Sequence, residues 1–381
     1  MIPTAANAPA SRARSLQPIL REASFDDYEE IVALQFRNGL SARSRSRWAS
    51  LWIDNPSFQR APESLPLGWV LESPERRIVG YLGNLPLAYR FRGRDVRAAT
   101  PHSWAVDSDN RRYSIWLLDR FLSQKQVELL VFATVNPASE PVYRALGCSR
   151  TPSGIWDRSG FWVTRHHEFA RAALRSQSPR IPQGFAVAVA AALAVGGLSV
   201  NSWHRSAPSV DFEFRSTFDV RFDAFWEQLQ RENGNALLAV RDQATLEWHF
   251  GHSLGRQKTW VLTACKDRRL VAYAIFDRWD LAKLKLKRLR LVDFQCLAGF
   301  DDLIEPMISQ MLLLCRREGI AIAENVGCWL AFAGRRGARA PYHRKMKSWI
   351  FYYKACSREL SAALAEPGAW RPTSFDGDAS L

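Results

Sequence analysis

With 381 residues, 47% of them hydrophobic and 24% charged, the chain is long enough for two separately cored domains and too apolar for a disordered polymer. Its 52 basic against 38 acidic residues give a net charge of +14, which favours an anionic partner: a nucleotide cofactor, nucleic acid or an acidic membrane face. The excess is mostly Arg and is scattered along the chain, the distribution of a solvated surface rather than of a nucleic-acid stripe.

The 6 Cys form no C-x-x-C pair and no metal-ligand spacing, and several sit inside apolar runs. This implies buried thiols in a reducing compartment and no metal site. No apolar h-region occurs in the first eighteen residues, so a cytoplasmic location is expected. The 15 Trp suggest large aromatic cores or ligand platforms.

After a tail, taken as disordered over 1–17, the run 18–39 reads as a short strand, an Asp26 or Asp27 cap, and an amphipathic helix with Tyr28, Ile31, Val32, Leu34 and Phe36 on its apolar side. A second helix follows over about 41–53. GWVLES (68–73), RIVGYLGNLPLAYRFRG (77–93) and VRAATPHSWAVD (96–107) are strand-like with Gly-bearing turns. Residues 112–125 place Ile115, Leu118, Phe121 and Leu122 at helical spacing. LLVFATV (129–135) is then a buried strand that feeds the helical pattern NPASEPVYRALGC, with Gly147 where a helix stops.

Residues 169–210 read as a linker containing GFAVAVAAALAVGGLSV (184–200), seventeen residues without a charge. Seven of these favour insertion at roughly −0.3 to −0.6 kcal/mol each, about −2 to −4 kcal/mol in total. That suits a buried helix joining two domains, with peripheral membrane contact as the alternative. From Asp211 the element order starts again and runs to 356, which fits an internal duplication. KSWIFYYKAC (347–356) is expected to be the last strand of this second copy, and 357–381 an irregular tail. KLKLKRLR (283–290) alternates basic and apolar residues, as an exposed edge strand protected by charge would.

The spacing of Asn136, Tyr143 and Gly147 resembles the motif N-x-x-A-x-x-x-Y-x-x-x-G-F of the GCN5-related N-acetyltransferase (GNAT) superfamily, with Ser139 for the Ala and Cys148 for the Phe. The opening Ile19, Arg21, Ala23, Asp27, Tyr28 and Ile31 are similar to the start of a GNAT domain. Arg241, Asp242, Leu246 and Trp248 resemble a motif of the second copy in tandem GNAT proteins. The resemblance implies an α/β (α+β) fold of two tandem GNAT-like domains, each a mixed central sheet flanked by helices: 18–168, the catalytic copy, and 211–356, a degenerate one.

It also implies an acyl-CoA-dependent N-acyltransferase, with acetyl-CoA or another acyl-CoA as co-substrate and a small-molecule, sugar or peptide amine as acceptor. In the family the Tyr at position 143 protonates the thiolate as the tetrahedral intermediate collapses, and Asn136 binds pantetheine or orients the turn. His102 on a central strand is either the base or a core histidine. Val106, Arg111, Arg112, Tyr113 and Ser114 occupy the region that binds pantetheine and pyrophosphate, R/Q-x-x-G-x-G/A. The family's glycines are here Ser114 and Trp116, with Arg112 where a third is common. So either the Arg pair and the Ser114 hydroxyl replace the glycine amides, or Trp116 fills the groove.

The matching junction of the second half, Leu297–Asp302, carries two acids that would repel a pyrophosphate. Asp242, Glu247, Asp293, Glu324, Tyr342 and His343 are its polar candidates, each equally a structural residue. Two other readings stay open: a catalytically silent GNAT-fold binding protein, and a transferase of the peptidoglycan-peptide type that uses aminoacyl-tRNA.

Overall fold

The structure is a computed structural model that describes residues 17–60, 65–152, 158–177, 210–326, 340–346 and 349–381. The apolar segment 184–200 lies outside the described residues, as do most of the proposed tail and linker. Among the described residues no helix is long and apolar enough to cross a membrane.

The chain divides into two compact units: 1–53 with 61–85 and 101–126, and 54–60 with 86–100 and 127–381. In the first unit β1 (Ile19–Glu22) pairs antiparallel with β2 (Gly68–Glu72), and β2 with the start of β3 (Ile78–Phe91). The helices α1 (Tyr28–Arg37), α2 (Arg45–Ile53) and α4 (Ser114–Leu122) bring Tyr28, Ile31, Leu34, Trp48, Trp52, Leu117 and Phe121 into its core. Trp52 Nε1 donates to the Asn84 carbonyl at 2.8 Å, so its buried polar edge is satisfied.

Asp27 is the N-cap residue of α1, as the sequence leads one to expect, and a 3-10 turn (Phe25–Asp27) capped by Ser24 precedes it. Asp27 reaches back to accept from the Ser24 amide at 2.8 Å while pairing with Arg21. On α1 Phe36 is exposed. On α4 the buried stripe is Leu117, Leu118, Phe121 and Leu122, which leaves Ile115 and Trp116 outside.

In the second unit β4 (Arg94–Val106) begins beside β5 (Leu129–Val135), paired parallel at Ala98–Leu129 and Ala99–Leu130. The other edge of β5 is closed antiparallel by β15 (Ile350–Ala355), which also pairs with the short β6 (Ser149–Arg150). A second sheet of seven strands has the order β14-β7-β13-β12-β11-β10-β8. Here β7 is Arg158–Val163, β8 Asp211–Arg215, β10 Thr259–Lys266, β11 Arg269–Arg278, β12 Arg288–Cys296, β13 Ile322–Val326 and β14 Tyr342–Lys345. The strand expected to end the second copy, β15, therefore joins β5 instead, and β7 joins β13. Strand partners are chosen by long-range fit, which periodicity cannot report.

Two further expectations are corrected. Arg288 and Arg290 are each 4% exposed, because β12 lies between β11 and β13 and is no edge. The segment after 356 is not irregular: it forms a helix at Arg358–Leu364 and buries Trp370, Phe375 and Asp376.

That burial centres on Arg241, at the end of the short β9 (Leu238–Ala239), and Asp293 on β12. The guanidinium Nε donates to Asp293 at 2.8 Å, lies 3.5 Å from Asp376, and stacks on Phe375 at 4.7 Å. The Tyr273 hydroxyl and Gln295 amide also donate to Asp293, at 2.9 and 3.0 Å. Burial pushes the Asp376 carboxyl above its ordinary value, against the pull of Arg241. Removing one partner strands a buried charge. We expect Arg241→Met to lose about 3–5 kcal/mol at pH 7. The loss should shrink toward pH 5, because the orphaned Asp376 carboxyl, which burial already raises, then takes up a proton in the folded state. Urea unfolding at the two pH values tests this, and a loss that grows on acidification contradicts it.

Candidate functional site

The candidate residues fall on two strand-to-helix junctions, one in each unit. In the first unit β4 carries His102, which is buried, and ends at the half-buried Val106. Between them Ser103 adopts φ +55°. A left-handed residue inside a strand breaks the pleat and costs an L-residue about 1 kcal/mol or more. Nothing in the sequence marks Ser103 for this conformation. The His102 carbonyl faces Gly83 on β3, where a Cβ would come within 2.9 Å of it, so the strands approach there without room for a side chain.

Past β4 the Asp107 amide donates to the Val79 carbonyl at 2.9 Å, and its carboxylate takes Arg37 and Asn38 at 3.0 Å each. Residues Ser108–Tyr113 then coil into a 3-10 helix that runs straight into α4. This explains the missing glycines. The Asn110 amide donates to Asp107 and the Ser114 amide to Arg111, so backbone donors that a glycine-rich loop would offer an anion are engaged internally.

Arg111 and Arg112 are exposed, and the Arg112 guanidinium lies over the Tyr113 ring at 4.7 Å. Tyr113 is buried and contacts Trp116, ring centroids 4.7 Å apart. Trp116 is itself 37% exposed, so it packs along the helix surface. The junction therefore offers an anion two guanidiniums and the Ser114 hydroxyl more than it offers free amides.

In the second unit Asn136 follows β5 and is exposed. Its Oδ1 accepts from the Ser139 amide and hydroxyl at 2.9 and 3.1 Å, closing the turn before α5 (Glu140–Ala145). Gly147 takes φ +76° to end that helix. Tyr143 is buried against Phe132, 4.8 Å between ring centroids, and lies 6.1 Å from Tyr352 on β15. Burial, with Cys148 and Asp378 nearby, raises its phenol above the ordinary range. Cys148 is likewise buried and its thiol is pushed up to about 11. Both groups hold their protons at neutral pH, so Tyr143 is a donor and Cys148 a poor nucleophile.

Sequence reasoning missed the clamp around α5. Tyr352 donates to Glu140 at 2.5 Å and accepts from Arg144 at 3.1 Å, and Lys354 donates to the Leu146 carbonyl at 3.0 Å. Gly377 also approaches β5: at φ +80°, its Cβ would stand 2.8 Å from the Ala133 Cβ.

The second-half candidates separate into distinct roles. Asp242 caps a helix by accepting from Thr245 at 2.8 Å, while Glu247 and His343 are exposed. Tyr342 stacks on Phe161 at 5.4 Å. Asp293 belongs to the Arg241 network, and Glu324 pairs with Arg288 and Arg344. At the Leu297–Asp302 junction the Glu232 carboxylate accepts from the Ala298 amide at 2.7 Å. Among the described residues no cluster of three His, Cys, Asp or Glu could hold a metal ion.

No protein-family model matches this sequence, and no curated protein is significantly similar to it. Solved structures are similar in fold. Saccharomyces cerevisiae N-myristoyltransferase with bound myristoyl-CoA aligns with a TM-score of 0.55 at 11% identity, over 92% of this chain and 81% of its own. A GCN5-related N-acetyltransferase from Anabaena variabilis aligns at 0.52 and 12% identity, over 89% and 73%. A probable N-acyltransferase from Enterococcus faecalis aligns at 0.52 and 12%, over 88% and 72%. The chain shares with these structures a fold of two mixed sheets flanked by helices.

Proposed function

We propose that the chain is an acyl-CoA-dependent N-acyltransferase that moves an acyl group, acetyl in the simplest case, to an amine of a small molecule, sugar or peptide. The observation that carries this reading is the placement of Tyr143, buried against Phe132 on the Asn136–Gly147 turn after a central strand. The fold shared with N-acyltransferases over about nine-tenths of the chain supports it. Acyl-CoA supplies a thioester carbonyl for the amine to attack. Tyr143 gives its proton to the departing sulfur, a task for a group that is neutral at working pH. In the first unit we assign His102 to take up the amine proton, Arg111, Arg112 and the Ser114 hydroxyl to phosphate, Val106 to the pantetheine arm and Tyr113 to fixing the turn; in the second unit we assign Asn136 to the turn that carries Tyr143. We assign catalysis to 18–168 and a supporting role to 211–356, in the cytoplasm.

Cys148 lies close to Tyr143, yet a thiol near 11 leaves almost no thiolate at pH 7. Attack is therefore direct, without an acyl-cysteine. A catalytically silent binding protein is the second reading, favoured by the internally bonded 3-10 turn at 108–113.

Mass spectrometry of acyl-CoA and amine pairs should find a product with the wild type. Tyr143→Phe is expected to lower kcat by about 100-fold or more with little change in KM for acyl-CoA. Full activity in that variant would remove Tyr143 from the mechanism. Cys148→Ala should stay within about threefold of wild type, since no covalent step uses it; a loss as deep as that of Tyr143→Phe would instead favour an acyl-cysteine. Calorimetry with acetyl-CoA separates the two readings: no heat at high micromolar concentration supports the silent protein.

A further inference from the structure

The seven-stranded sheet contains a cavity of about 220 Å³ that the acyl-transfer reading does not use. Its apolar wall is Phe161 on β7, Phe169 and Ala173 on α6 (His166–Gln177), and Leu284 and Leu286 ahead of β12. The basic run beginning at Lys283 is built for this wall. Lys283, Lys285 and Lys287 are exposed, while the intervening leucines line the cavity.

The polar end holds three charges. Arg288 Nη1 lies 3.3 Å from Glu324 Oε1, and Arg344 Nη2 lies 2.5 Å from Glu324 Oε2. Ser159 donates weakly to the same Oε2 at 3.4 Å, and Arg288 Nε donates to the Trp279 carbonyl at 2.9 Å. The Arg288 and Glu324 side chains are 4% and 1% exposed; Arg344, at 39%, stands at the mouth. Two guanidiniums thus face one carboxylate: Arg288 is buried beside Glu324, and Arg344 stands at the solvent-facing mouth with donors directed to an entering anion. Burial lowers Arg288 below its ordinary value, with Glu324 and Asp280 opposing and Arg344 and Arg290 adding to the shift.

We propose that this cavity binds a small amphipathic carboxylate, with its aryl or alkyl body between Phe161, Phe169 and the two leucines and its carboxylate on Arg344 and Arg288. Each guanidinium has five N–H donors in a planar fork, so each can keep Glu324 and still serve a second carboxylate. Size selects the body. A cavity of about 150 Å³ takes a benzene ring, so this one takes a ring with a short arm. The proposal concerns a ligand site apart from Tyr143 and does not depend on the acyltransferase reading.

The test is calorimetric titration of the full chain with phenylacetate and with its neutral analogue phenylacetamide. Saturable binding of phenylacetate is expected, with phenylacetamide at least about tenfold weaker because it forfeits the charge-assisted pair. Ala173→Phe, which fills the cavity, should weaken phenylacetate by a similar factor while near-UV circular dichroism stays as in wild type. Should that variant misfold, Arg344→Gln decides: it should erase the preference for carboxylate over amide. Excess coenzyme A should not shift the titration. Lack of saturation, equal binding of the two probes, indifference to both substitutions, or displacement by coenzyme A would each overturn the proposal.

Discussion

The position of Tyr143 depends on one pairing, the closure of β5 by a strand from the far end of the chain. Leu129–Val135 is buried almost throughout and has no polar face to turn to water, so both its edges must be bonded. β4 supplies one edge in parallel and β15 the other in antiparallel. β15 also delivers the side chains that hold α5. Tyr352 stands between Glu140 and Arg144, and Lys354 takes the Leu146 carbonyl at the helix end. A six-residue helix has little stability of its own. The clamp supplies the order that α5 lacks, and through it the seat of Tyr143 against Phe132.

The exchange is reciprocal, because β7, ahead of the linker, completes the sheet of β12 and β13. Neither sheet can close until distant parts of the sequence have met, which raises contact order and slows folding. The Arg241–Asp293–Asp376 network adds a third long-range tie, joining β12 to the segment after 370. A buried ion pair stabilises less than an apolar core of the same size, but it penalises misregistered packing heavily. We read it as a device for specificity in a fold that must pair distant strands.

What was legible in the sequence is what local physics decides. The 3.6-residue periodicity of α1 and α4, the apolar run of β5 and the turn from Asn136 to Gly147 are properties of short windows, and they appear where expected. Strand partnership is not such a property, and β15 pairs with β5 rather than with the second-half strands that its position suggests. Alternation misled for a related reason: an exposed edge strand and a central strand with buried, paired arginines read alike. Arg288 and Arg290 are accommodated by Glu324, Asp277 and the Trp279 ring, all distant in sequence or unmarked by it. At the site, Tyr143 and Asn136 were legible because their motif is local. The strained Ser103 and the clamp from Tyr352 were not.

The two halves show how one junction can diverge. After β4 the chain enters a helix through Arg111 and Arg112, exposed cations with no acid among the described residues paired to them. After β12 it enters through Asp301 and Asp302, and the Glu232 carboxylate already occupies the Ala298 amide. Helix starts attract anions in either case. In the first half the 3-10 turn engages amides internally and the exposed guanidiniums supply the positive charge. In the second it satisfies the attraction from its own chain, so the sheet there is free to bury charge elsewhere, at Asp293 and around the cavity of Arg288 and Glu324. The two junctions therefore differ in charge, cationic after β4 and acidic with a self-supplied carboxylate after β12.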